Sequence, residues 1–212
     1  MNVHAARRAL VLAALPLLFA GCASVLPPAA PREGMTTAAQ AKRPYYAAID
    51  FTGRLSVHYQ GPRNEEAVHG SFLWAQTRTK TAVTLFSPLG QTIAIIEATP
   101  DGATLQQGGQ TSRHASDVNA LTAQALGWPL PVAGLRDWLQ GFAVDVQGNR
   151  FVATPEASEV TTRDGWRIRY DNWPEDNASG LQYRARRIDL SRYTDQAGAI
   201  SIRIVLDSWQ AR

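Results

Sequence analysis

The sequence is poor in several things, and each scarcity excludes something. It holds one cysteine, Cys22, in 212 residues. No disulfide can form within the chain, and no zinc site of the four-cysteine type is possible. Lysine is nearly missing: only Lys42 and Lys80 accompany 19 arginines. Charged residues make up 18% of the chain, and from residue 22 onward 19 basic groups face 18 acidic ones. So weakly charged a body argues against nucleic acid as a partner. Beyond the N-terminal segment there are three histidines, His58, His69 and His114. Two of them could meet across adjacent strands, but no acidic cluster completes a metal site. The chain has no G-x-S-x-G, no H-E-x-x-H and no phosphate-binding loop. Glu65-Glu66 reads as a solvated turn tip rather than a catalytic pair. We therefore expect no enzyme, no cofactor and no metal.

Long apolar runs are also scarce, apart from one at the start. Residues 1–8 carry Arg7 and Arg8, and residues 9–20, ALVLAALPLLFA, are apolar throughout. Pro16 lies inside this run and Pro27-Pro28 closes it, which weakens a spanning helix of about 20 residues. A basic start, a short apolar segment and small residues at the cut fit a removable secretory signal. Leu18-Phe19-Ala20-Gly21-Cys22 resembles the bacterial lipobox, with Phe19 where a smaller aliphatic is usual. That resemblance implies that Cys22 receives a diacylglycerol and becomes the new N-terminus. Ala23 and Ser24 follow, with no aspartate, which by the same resemblance implies sorting to the outer membrane. Residues 1–21 are thus read as a signal peptide and 22–44 as a lipidated cysteine and tether. The tether is rich in Pro, Ala and Thr and has no aromatic residue until Tyr45. Residues 36–42 could be helical, limited by Pro44.

From residue 45 to 212 the composition is that of a folded domain, within a chain that is 45% apolar with 16 Gly and 12 Pro. Phe51 to Tyr59 alternates apolar and polar residues, the period of a half-buried strand. Further strands are expected over 67–76, 80–87, 91–99, 103–107 and 110–114, separated by Gly and Pro turns. Ser116-Asp117 then opens a helix carrying Val118, Leu121, Ala125 and Leu126, which Gly127 stops. After Trp128-Pro129-Leu130-Pro131 a second short helix spans 132–140, with Leu135, Trp138 and Leu139 on one face. Strands resume over 149–154, 157–163, 165–171, 182–190 and 199–208. In the last, Ile200, Ile202, Ile204 and Leu206 face one way. The fold class is mainly β: one strongly bent antiparallel sheet of ten or eleven strands, with two or three helices against one face.

Three features bear on function. Phe72, Trp74, Val83, Leu85, Ile93 and Ile95 lie on consecutive strands, with Leu55 and Val57 on the first, and Leu135 and Trp138 on a helix that could cover them. They form either an ordinary filled core or a cavity that opens for an acyl chain. Leu89, between Pro88 and Gly90, sits where hairpin tips are usually polar; it either folds back onto the sheet or touches a membrane or partner. Arg184, Arg186, Arg187 and Arg192, with Arg167 and Arg169, form a basic group. It is read as a charged solvent face paired with Asp171, Glu175 and Asp189, with an anionic lipid or acidic protein as the other option.

Several motifs together resemble the LolB family of outer-membrane lipoproteins. They are the lipobox cysteine, Phe51-Thr52-Gly53-Arg54, Ser87-Pro88-Leu89-Gly90, Gly127-Trp128-Pro129-Leu130-Pro131, Leu135-Arg136-Asp137-Trp138-Leu139-Gln140-Gly141 and Leu206-Asp207-Ser208-Trp209. The resemblance covers residues 45–212 in order. It implies an incomplete antiparallel barrel of eleven strands whose helices close a hydrophobic cavity. It further implies a lipid-anchored, periplasm-facing acceptor that takes acylated lipoproteins from the periplasmic carrier LolA. Their chains would enter the cavity and pass into the inner leaflet of the outer membrane. By position, Cys22 matches the anchor and Leu89, with Pro88 and Gly90, the membrane-entering loop. We expect a monomer. The alternative is a structural or envelope-assembly lipoprotein with a filled core.

Overall fold

The computed structural model describes residues 43–61, 63–174, 184–195 and 198–212. The signal segment, Cys22, the tether up to residue 42, the helix expected over 36–42 and Glu175 lie outside the described residues.

Among the described residues, twelve strands and two helices follow in chain order. Strands β1 (Ile49–Gln60), β2 (Glu65–Gln76), β3 (Thr81–Phe86), β4 (Thr92–Thr99), β5 (Gly102–Gln107) and β6 (Arg113–Ala115) form the first half. Helices α1 (Val118–Leu126) and α2 (Val132–Trp138) follow. Then come β7 (Phe142–Val144), β8 (Arg150–Val152), β9 (Glu159–Thr161), β10 (Arg167–Asp171), β11 (Arg187–Thr194) and β12 (Gly198–Ala211). Ten strands make one sheet in the order β6-β5-β4-β3-β2-β1-β12-β11-β10-β9, and β7-β8 make a separate hairpin. Every pairing is antiparallel, and the edge strands β6 and β9 are not joined, so the sheet stays open. The long β1 is paired on both sides, with β2 and with the C-terminal β12, so the two halves meet at the centre of the sheet.

Alternation sets the faces. Along β1, Ile49, Phe51, Leu55, Val57 and Tyr59 are buried, whereas Arg54 and His58 are exposed. Phe72 and Trp74 of β2, Val83 and Leu85 of β3, and Ile200, Ile202 and Ile204 of β12 join them on the inner face. The helices close that face: Leu121, Leu130, Val132, Leu135, Trp138 and Leu139 belong to the same apolar cluster as the strands. Helix α1 starts at Asp117, whose carboxylate accepts from the Asn119 and Ala120 amides at 2.7 and 3.3 Å. Gly127 ends it in the left-handed conformation.

The sequence reading missed β7, three residues directly after Gly141 and too short to show a period. It also placed a strand start at 182, where the described strand begins at Arg187.

Candidate functional site: an apolar seam under α2 and an exposed Pro-Leu-Gly tip

The seam between α2 and the inner face holds a void of about 20 Å³, lined by Leu55, Phe72, Trp74, Val83, Leu85 and Leu135 among others. All of its lining residues are apolar, and Leu130, Leu139, Ile202 and Ile204 complete it. Six of the ten residues expected around a cavity therefore surround this void. Val57 and Trp138 are buried in the same cluster but away from it.

Ile93 and Ile95 require a correction. The register pairs Val83 with Ile96 and Thr84 with Ile95, so Ala94 and Ile96 point inward and Ile95 turns to the outer face. Ile95 is 39% exposed, and Ile93 is half-buried at the margin of the core. The run Ile93-Ala94-Ile95-Ile96 is apolar at every position, so its period could not tell the faces apart. Leu139, Ile202 and Ile204 carried a readable signal, the helical face of 132–140 and the alternation of 199–208.

Polar clamps hold the C-terminal turn of α2 and the residues just beyond it. The Arg136 guanidinium donates to the Thr77 carbonyl at 2.7 Å, to the Lys80 carbonyl at 3.3 Å and to the Thr81 hydroxyl. This ties the helix to the β2–β3 turn. Beyond its C-terminus, Gln140 accepts from the Tyr46 amide at 2.9 Å and donates to the Tyr46 carbonyl at 3.1 Å. The Trp74 indole donates to Gln76 at 2.9 Å, so the one polar atom of this large inner side chain is satisfied.

Arg184 departs from its expected place on the solvent face. It is buried, donates to the Gln140 carbonyl at 2.9 Å, and lies 4.8 Å from the Trp209 ring centre and 5.6 Å from that of Tyr46. Burial, with Arg43 nearby adding to it, lowers its pKa to about 10. Arg192 also departs from the solvent face, half-buried on the side of β11 that carries Ile188 and Leu190 and 5.9 Å from the Trp166 ring centre, whereas Arg167, Arg169 and Arg186 are exposed as expected. Arg187 sits 2.7 Å from Asp189 and 3.3 Å from Asp171, Arg203 2.7 Å from Asp189, and Arg169 3.5 Å from Glu159. His58 and His69 do meet across adjacent strands, their ring centres 5.9 Å apart. Among the described residues no group of His, Cys, Asp and Glu could hold a metal ion.

The β3–β4 tip presents Leu89 to solvent at 89% exposure, so it does not fold back onto the sheet. The backbone explains this. The Gly90 amide bonds to the Ser87 carbonyl at 2.9 Å, the Ser87 amide to the Gln91 carbonyl at 2.8 Å, and the Gln91 amide to the Ser87 hydroxyl at 3.2 Å. Pro88 supplies the fixed φ that suits the second position of such a turn, and Gly90 takes φ +79°, which closes the hairpin. The turn leaves the side chain between them no inward path.

Residues 47–209 match the sequence profile of the family described as Outer membrane lipoprotein LolB. The chain belongs to the LolB family. Relatives named Outer-membrane lipoprotein LolB include that of Cupriavidus taiwanensis, 40% identical over 208 residues, with 95% of this chain and 96% of the relative covered. The LolB proteins of Cupriavidus metallidurans and Thiobacillus denitrificans are 38% and 35% identical, covering 95% and 97% of this chain and 95% and 98% of theirs. Among solved structures, a LolA superfamily protein from Nitrosomonas europaea is similar over 82% of this chain and 90% of that one, at 10% identity and a TM-score of 0.44. LolB is a family of outer-membrane lipoproteins concerned with lipoprotein localisation, not a family of enzymes. The open, mainly antiparallel sheet with helices on one face is the architecture that the motifs led us to expect.

Proposed function

We propose that this chain is the membrane-side acceptor of a lipoprotein relay. It is anchored through Cys22 and faces the periplasm. It takes acylated lipoproteins from the carrier LolA, holds their chains between α2 and the inner face of the sheet, and releases them into the membrane at the Leu89 tip. The observation that carries this reading is the wholly apolar seam under α2, a short helix whose polar fastenings, Arg136 and Gln140, gather at its C-terminal end. Acyl chains gain from any dry apolar surface, about 0.8 kcal/mol per buried CH₂. Direct transfer also spares them contact with water.

The void of about 20 Å³ is far smaller than the roughly 300–1,000 Å³ of a ligand pocket. Cargo therefore enters only if α2 lifts away from the inner face. The same small void favours a second reading, a structural envelope lipoprotein with a permanently filled core. A soluble Cys22→Ala protein separates the two. Mixed with LolA loaded with an acylated lipoprotein, it should hold the cargo in a pull-down. A folded protein that never takes the cargo would leave the structural reading standing.

A further inference from the structure

The outer face of the sheet carries a groove that the proposed function does not use. Beside the tip lies a trough of about 450 Å³ lined by Arg54, Ser56, His69, Ser71, Ser87 and Arg203, with Pro88 and Gly90 on its rim. Strand register assembles it. Arg54 stands opposite Ser71, and Ser56 stands opposite His69 on one side and Arg203 on the other. The base of the tip reaches the groove because β2 has a glycine at that point. A Cβ on Gly70 would lie 2.1 Å from the Phe86 carbonyl oxygen, so no side chain can stand there.

Leu55 and Val205 complete the lining as apolar floor, and its polar groups have one sign. It holds two guanidiniums, an imidazole and three hydroxyls, all able to donate, and no carboxylate. The acids that hold the two arginines lie outside the lining: Asp207 accepts from Arg54 at 2.9 Å and Asp189 from Arg203 at 2.7 Å. Arg54 and Arg203 are 65% and 57% exposed, and each guanidinium has five N–H groups, so further donors remain on both. Such a donor set suits a phosphate, which guanidiniums bind through paired hydrogen bonds. Its position beside an exposed leucine decides which phosphate. A phospholipid whose chains meet Leu89 brings its headgroup to the same end of the molecule.

We infer that this groove seats the phosphate of a membrane phospholipid when the Leu89 tip enters the bilayer. The inference rests on the reading of that tip as membrane-entering, and the test keeps the two apart. The soluble Cys22→Ala protein is titrated with dihexanoyl phosphatidylglycerol below its micelle concentration, and in parallel with inorganic phosphate, while the His69 ring signals are followed by NMR. Vesicle flotation with phosphatidylethanolamine–phosphatidylglycerol membranes is run beside it. The lipid should shift His69 at a concentration roughly tenfold lower than phosphate does. Combining Arg54→Gln with Arg203→Gln should abolish the shift and weaken vesicle binding by about tenfold. Leu89→Glu should lose vesicle binding and keep the shift. Equal shifts with lipid and phosphate would reduce the groove to a general anion site and overturn the proposal. No shift, or unchanged flotation of the double variant, would also overturn it. A Leu89→Glu protein that still floats, with the His69 shift intact, would leave the phosphate seat standing and remove the insertion role of the tip.

Discussion

At the scale of single residues, the β3–β4 tip and the base of the β1–β2 turn behave as opposites. Leu89 makes no contribution to the core, so Leu89→Glu should leave stability within about 0.5 kcal/mol, as for ordinary surface changes. Delivery of bound lipoprotein to membranes should fall sharply, because a carboxylate resists entry into hydrocarbon. Unchanged delivery with an unchanged melting temperature would remove the insertion role. Tyr59, in contrast, is buried, and its hydroxyl donates to Glu66 at 2.6 Å. Burial, reinforced by the hydrogen bond and charge of Glu66, pushes its pKa up to about 12. The ordinary phenol titrates near 10. Because the folded value is the higher one, this contribution to stability is complete below about pH 10 and is lost as pH climbs through about 12. Thermal melts at about pH 9 and about pH 11 should show the loss, and tyrosinate absorbance should place Tyr59 among the late tyrosines, with Tyr45 and the fully buried Tyr170, whose pKa values burial also raises. Glu66→Gln should bring one of these late titrations down, that of Tyr59, and leave Tyr170 late; a late set that does not change at all would show that Glu66 does not set Tyr59. The turn at Leu89 was legible in the sequence because Ser-Pro-Leu-Gly marks a break whatever surrounds it, but the residues alone left open whether the leucine folds back onto the sheet. The Tyr59–Glu66 pair was not, since it depends on which strand pairs with which.

At the scale of elements, α2 is the piece that the proposed function requires to move. It is short, seven residues, and a helix of that length owes its stability to packing rather than to its own hydrogen bonds. Burial of Val132, Leu135 and Trp138 holds it down, and the Arg136 clamp adds to this at its C-terminal turn. Arg136→Ala removes bonds to Thr77, Lys80 and Thr81 and should cost about 1–3 kcal/mol of stability. If uptake waits on lifting of α2, the same change raises the open population and should speed binding of a fluorescent fatty acid. A protein that is less stable but no faster would mean that the seam does not open at this end. The helix and its apolar face were readable from spacing, but its fastening was not. Arg136 looks like any exposed arginine until the β2–β3 turn is seen to lie beneath it. Arg184 misled for the same reason: in sequence it belongs with Arg186 and Arg187, yet strand β11 begins only at Arg187, and Arg184 turns inward over Trp209.

At the scale of the whole molecule, stability is distributed unevenly by topology. Strands β1 and β12, of 12 and 14 residues, each have partners on both sides and form the centre of the sheet. The edges β6 and β9 have three residues each, and nothing joins them into a closed barrel. An open sheet with a firm centre and short edges can widen at its margin without breaking its main ladder, which a closed barrel cannot do. Cargo loading should therefore leave a regional signature in amide hydrogen exchange. Protection along β1 and β12 should stay as it is, because the chains lie against their side chains and leave their backbone bonds intact. Residues 130–140 should exchange faster when loaded, since α2 must leave the strands to make room in a seam that now holds about 20 Å³. The β5–β6 edge, against which α1 packs, should follow α2 if the two helices move as one unit. Loss of protection throughout the sheet would instead mean that cargo unfolds the domain. Loading with no change in α2 would mean that the chains bind elsewhere, and the apolar seam would then be core and nothing more.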